Sequence, residues 1–142
     1  MVIADTGFWL ALANRRDRFH EPARAALQDV REPLTTTMAV LTETCHLLSH
    51  RLGSNAAVTF MESVSAGACH VQPLASADLP RVVELMRKYS DLPMGLADAS
   101  LVLLAARSGD GRILSTDQRD FQTYRWKNTE PFTNLLLAYI GD

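Results

Sequence analysis

The sequence predicts an α/β fold, a three-layer α/β/α sandwich around a central, mainly parallel sheet. Three observations carry that prediction. Short apolar runs alternate with longer segments of helical periodicity along the whole chain. Val2-Ile3-Ala4 is apolar throughout, as a strand covered on both faces must be. Residues 96–106 are apolar around nearly their whole circumference, broken only by Asp98 and Ser100, which fits a helix enclosed in such a sandwich.

The elements follow in order. Residues 2–4 form a first buried strand, and helical patterns cover residues 6–14 and 20–30. A second strand is expected over 33–36, after which Thr37 can cap a helix running to Leu52. Gly53 is a stop signal, and Ser54-Asn55 can cap the next helix, to about Ala66. Residues 70–74 read as a third strand and 76–89 as a helix; Pro93 and Gly95 punctuate the start of the helix over 96–107. The turn Gly109-Asp110-Gly111 leads into a strand over 112–116. The tail from Pro131 supplies a last strand or edge segment, 132–136, of either direction. No repeat, low-complexity tract or linker divides the chain, so residues 1–142 are read as one domain.

At 142 residues the chain is long enough for one real core. Its net charge of −2 and pI near 6.1 give no global attraction to nucleic acid, so any such binding must rest on local basic patches or on metal ions. Cys45 and Cys69 read as thiols rather than a disulfide. The amino terminus lacks a basic leader, and the longest apolar stretch is too short to span a bilayer. A cytoplasmic protein with no membrane association is expected.

Function in a parallel α/β sheet gathers outside the carboxyl ends of the strands. Asp5 directly follows the first strand, and Asp117 directly follows the strand over 112–116. Asp98 falls in the first turn of its helix and Glu43 in the second turn of the helix after Thr37, both near that same edge. Glu43 has Ala39, Val40 and Leu47 on its stripe, and Asp98 is followed by Leu101 and Val102. Ionised carboxylates in apolar settings are costly unless a cation pairs with them, and no lysine or arginine is evident nearby. A divalent metal would serve several acids together, and oxygen-only ligands suit Mg²⁺ or Mn²⁺ better than zinc. Each acid also has a plainer role open to it: helix cap for Asp5, dipole partner for Asp98, solvated helix residue for Glu43, turn acid for Asp117 and Asp120. His46 and His50 share a helix face four residues apart and could pair on a metal; surface or packing histidines are the alternative.

The sequence resembles the PIN-domain ribonucleases, most closely the toxin component of VapB–VapC type toxin–antitoxin pairs. Ile3-Ala4-Asp5-Thr6-Gly7, with Phe8-Trp9-Leu10-Ala11-Leu12 behind it, looks like the first acidic motif of that family. Thr36-Thr37, then Val40-Leu41-Thr42-Glu43-Thr44, is similar to the helical glutamate motif. Tyr89-Ser90-Asp91-Leu92-Pro93-Met94, leading to Ala97-Asp98-Ala99-Ser100-Leu101, resembles the third motif, and Leu114-Ser115-Thr116-Asp117, with Arg119-Asp120-Phe121 and Tyr124-Arg125 behind it, the last. The motifs run in order over essentially the whole chain. Gly95 stands where some relatives carry a further acid. Asp117 and Asp120 compete for the final ligand position, and Asp117 is favoured because it follows the strand directly.

The resemblance implies hydrolysis of RNA phosphodiester bonds with Mg²⁺ or Mn²⁺ held by Asp5, Glu43, Asp98 and Asp117, leaving 5′-phosphate and 3′-hydroxyl ends. Thr6, Thr116 and Asp120 would orient ligands or water. Arg15, Arg16, Arg119 and Arg125 are the basic candidates for RNA contact, with Trp126 available to stack on a base; solvated charge and a half-buried aromatic are the alternative. A homodimer and a cognate antitoxin protein are the partners so implied. A non-catalytic PIN-like module that binds RNA or a partner is the rival reading. Phosphoaspartyl enzymes fit worse, since Gly7 stands where a second aspartate would be needed and Leu74-Ala75-Ser76 where a receiver would accept phosphate.

Overall fold

The structure, a computed structural model, describes residues 1–141. Its centre is a five-stranded sheet in which β1 (Val2–Ala4) lies between β2 (Leu34–Thr37) and β4 (Arg112–Leu114), with β3 (His70–Gln72) beyond β2 and β7 (Thr133–Asn134) beyond β4. Every pairing in this sheet is parallel, with Ile3 opposite both Thr35 and Ile113. Helices on both faces complete the three layers.

The helices that follow β1 and β2 begin on capping side chains the sequence supplies, whereas the helix from Ser54 has Gly53 at its cap position and no side-chain cap where Ser54-Asn55 was expected to provide one. The Asp5 side chain accepts from the backbone N–H of Thr6 at the head of α1 (Thr6–Ala13), and Thr37 does the same for Val40 in α3 (Met38–Leu52). Gly53 stops α3 with a φ of 96°, in the region that favours glycine, and α4 (Ser54–Ser65) folds back against it. α2 (His20–Asp29) packs on α1, and α5 (Leu79–Lys88) on α6 (Leu96–Ser108). α6 is buried along most of its length, as its uniformly apolar sequence requires. Thr37 of β2 donates to Ser100 Oγ across 2.6 Å, because Ser100 spends its own proton on Ala97 O. This bond ties α6 to the sheet at the root of α3.

Several elements differ from expectation. The segment expected as one helix over 76–89 opens with a 3₁₀ turn, Ser76–Asp78, before α5, whose first turn contains Pro80. The strand expected over 112–116 ends at Leu114, because the Asn134 side chain takes over pairing: it donates to Ser115 O (2.9 Å) and accepts from Ser115 N (3.1 Å). The tail is a two-residue parallel strand followed by a 3₁₀ segment, Leu135–Tyr139, where one edge strand was expected over 132–136. The sequence reading lacked α7 (Gln118–Thr123) and the hairpin of β5 (Arg125–Trp126) with β6 (Glu130–Pro131). Both are too short for hydrophobic periodicity to register. Cys45 and Cys69 are free thiols, as expected.

Candidate active site

The carboxyl edge of the sheet gathers the acids. Asp5, only 5% exposed, leaves the end of β1 with both carboxylate oxygens engaged: Oδ1 accepts from Thr6 N (2.7 Å) and Oδ2 from Ser115 Oγ (2.9 Å). Burial pushes its pKa up to about 6 against the pull of those two bonds, and the charges of Glu43 and Asp117 push the same way. Asp98, half-buried in the first turn of α6, accepts from Tyr124 Oη at 3.0 Å. Burial first, then the charge of Asp5, raise its pKa to about 7; Asp117 and Glu43 add to the rise.

Asp117 caps α7 by accepting from Asp120 N (3.1 Å), and its own N–H donates to Ser115 Oγ (3.0 Å). Asp120 is pushed up to about 6, by burial first and then by the neighbouring Asp117 carboxylate. Asp120 Oδ1 is buried without a hydrogen bond, with Arg119 Nε 3.6 Å away. Asp117 and Asp120 therefore occupy one corner together.

Glu43 corrects part of the sequence argument. It is exposed, so its apolar stripe does not bury it, and the cost of burying charge applies to Asp5 and Asp98. Glu43 nevertheless stands near enough to act on both charges. Thr6 is buried with Oγ1 unpartnered, and Thr116 is half-buried against α1. A Cβ at position 7 would land on Thr116 Oγ1, so only glycine lets the start of α1 approach the end of β4 this closely.

The basic candidates separate. Arg119 is exposed beside Asp120. Arg15 and Arg16 are exposed beyond the far end of α1, roughly 12 Å along the helix from Asp5. Arg125 turns inward, donating from Nη1 to the carbonyls of Gln122, Thr123 and Tyr124, and so closes the end of α7. Trp126 donates to Pro131 O (3.0 Å) and lies over Gly111, so its ring is structural packing.

Ser115, Tyr124 and Asn134 are the residues sequence reasoning missed as site groups. Ser115 sat inside the quoted last motif, two residues before Asp117, which was the available signal. Tyr124 is buried against Tyr89 and Phe121 in edge-to-face contacts, and only the fold shows that its hydroxyl reaches Asp98.

The charges acting most strongly on Asp5 and Asp98 are other carboxylates, so nothing of their own chain neutralises them. An all-oxygen donor set under mutual repulsion fits a hard divalent cation. Among the described residues, no three acids, histidines or cysteines stand close enough together to form a ready-made metal shell. Cavities of about 400 Å³ and 490 Å³ lie elsewhere, between β2, β3 and α6 and between α1, α2 and α4.

A PIN-domain family profile matches residues 2–127. The chain belongs to the PIN-domain family. The matched span contains every acid described above. The chain is similar to ribonuclease VapC26 of Mycobacterium tuberculosis, 27% identical over 124 residues that cover 87% of this chain and 92% of that protein. The crystal structure of VapC20 from the same organism, titled a Sarcin-Ricin loop cleaving toxin, superposes with a TM-score of 0.77 at 23% identity, covering 82% of this chain and 90% of that one. The second likeness shows the PIN fold, and the VapC-type likeness of the motifs stands.

Proposed function

We propose that this PIN-domain chain is a Mg²⁺- or Mn²⁺-dependent endoribonuclease, the toxin of a toxin–antitoxin pair, with Asp5, Glu43, Asp98 and Asp117 holding the cation. The observation that carries the reading is the gathering of sequence-distant acids at one sheet edge, where Asp5 and Asp98 are raised to about 6 and about 7 with no cation of their own. The ribonuclease named among its relatives supports the substrate class. When bound, the cation supplies positive charge that acidifies water and offsets charge developing on the phosphodiester.

The protein's own groups do the positioning. Ser115 and Thr6 N fix both oxygens of Asp5, and Tyr124 fixes one oxygen of Asp98, leaving the other free. Asp120 can hold or release a proton beside Asp117 near neutral pH. Thr6 Oγ1 and Thr116 are available to orient water or a ligand. Water adds to phosphorus, the bond to the 3′-oxygen breaks, and the departing oxygen takes up a proton, giving 5′-phosphate and 3′-hydroxyl ends. Arg119 stands where it can meet the backbone of the substrate, with Arg15 and Arg16 more distant.

The proposed setting is one domain, a homodimer in the cytoplasm, held in check by a cognate antitoxin protein. No helix among the described residues is long and apolar enough to cross a membrane. The test is cleavage of structured RNA by the purified chain, with sequencing of the new 5′ ends. Cleavage is expected to stop with EDTA, return with Mn²⁺ or Mg²⁺, and vanish in Asp98→Asn. EDTA-resistant cleavage, or full activity in Asp98→Asn, overturns the mechanism. Binding without cleavage at any metal concentration would favour the non-catalytic module.

A further inference from the structure

The histidines of α3 carry chemistry that the acid edge does not use. His46 and His50 are four residues apart and so project one turn apart from the same helix face. Both are exposed, and their rings meet edge to face with centroids 4.3 Å apart. His46 stands in the body and His50 in the last turn of a 15-residue helix that is capped by Thr37 and stopped by Gly53, so both lie on one continuous helix. The other two histidines are placed differently. His20 is buried with Nδ1 2.7 Å from Ala11 O, and His70 stands alone on β3.

We propose that His46 and His50 form a surface site for a nitrogen-preferring divalent cation of the zinc class, with water completing the coordination. One turn of helix lets each imidazole present a nitrogen to a shared ion at about 2.0–2.1 Å. Because the backbone fixes both ligands, the second nitrogen binds as an intramolecular event, which raises affinity well above that of a single histidine. Imidazole suits zinc, copper and nickel and binds Mg²⁺ and Mn²⁺ poorly, whereas carboxylate oxygens accept Mg²⁺ and Mn²⁺ as well. No third protein ligand closes the shell among the described residues, so the site exchanges its ion readily. Glu43 shares this face three residues before His46, so an ion at the pair adds positive charge towards the acid edge.

The test is a zinc titration of the full chain, followed by the imidazole resonances of the four histidines and by calorimetry. The resonances of His46 and His50 should move together and saturate in a single step with millimolar Mg²⁺ present, while His20 and His70 stay in place. His46→Gln and His50→Gln should each weaken that binding about 10²-fold, and millimolar Mg²⁺ should not displace the ion. Zinc binding unchanged in both variants, or displaced by Mg²⁺, overturns the proposal. Asp98→Asn should leave this binding intact, so the outcome is separate from that of the RNA-cleavage test.

Discussion

Asp110 and Asp5 are both aspartates at the ends of central strands, and the protein treats them in opposite ways. Asp110, ahead of β4, is gripped by Arg112 through Nε at 3.1 Å and Nη2 at 2.7 Å, and Arg112 also reaches Glu32 at 2.7 Å. The guanidinium holds the Asp110 carboxyl below its ordinary range. Arg107 does the same for Asp78 beside α5. Asp5, beyond β1, has a serine and a backbone N–H but no cation, and is pushed up to about 6. Where an acid serves the scaffold, the chain supplies its counter-charge. Where the chain supplies none, burial and neighbouring carboxylates push the acid up, at the edge proposed above to hold the cation.

The largest expected effect breaks the comparison on the acidic side. Asp5→Asn or Asp98→Asn should cut RNA cleavage on the order of 10³-fold, the scale of losing a group aimed at transition-state charge. Arg112→Gln should leave cleavage nearly unchanged in the same assay. Equal losses from both kinds of substitution would mean that the two sets of acids are not different in role.

Next comes the bond that orients Asp5. Ser115→Ala removes the donor to Oδ2 and should lower cleavage or cation affinity about 10–100-fold, measurable by activity against Mn²⁺ concentration. The loss should shrink as Mn²⁺ is raised if the serine acts by holding the ligand in place.

The two sets of acids should also respond to pH with opposite signs. An unfolded aspartate titrates near about 3.9. Asp5 and Asp98, raised to about 6 and about 7, contribute stability that is full below about 3.9 and lost as pH rises through those values. Asp78 and Asp110, lowered, contribute stability above about 3.9 that is lost on further acidification. Urea midpoints of the metal-free protein should therefore rise between pH 8 and pH 5 and fall below pH 4. The double variant Asp5→Asn/Asp98→Asn should reduce the first slope to the part that Asp120, also raised to about 6, contributes, and leave the second. A saturating divalent cation should flatten the first slope too, by competing with the protons.

The smallest effect is on the scaffold side. Arg112→Gln should cost roughly 0.5–1 kcal/mol in chemical denaturation, since its side chain is 38% exposed and water screens both pairs. Asp98→Asn in the metal-free protein should be neutral or stabilising. A loss of stability there would make Asp98 a structural acid after all.

The parallel sheet and the long helices were legible because their signals are local. An apolar run such as Val2-Ile3-Ala4, a cap such as Thr37 and a stop such as Gly53 each act within a few residues. The sheet edge that carries Asp5, Asp98 and Asp117 was legible too, because strand direction fixes it. What escaped were the contacts between distant segments. Tyr124 reaches Asp98 across 26 residues and Ser115 reaches Asp5 across 110, and no periodicity encodes either. Glu43 was misjudged for a related reason. Apolar neighbours on a stripe promise burial only if another element covers that stripe, and here none covers the carboxylate.

Asn134 gives the protein an unusual vulnerability. Its side-chain amide stands in for a strand partner and holds Ser115, which in turn holds Asp5 and the N–H of Asp117. Yet Asn134 lies beyond residue 127, where the family match ends. A chain trimmed at that boundary, or fused there to a reporter, would retain every carboxylate of the candidate site and lose the clamp that aims the first of them. Such a product could pass for an inactive enzyme when the missing part is only its last brace.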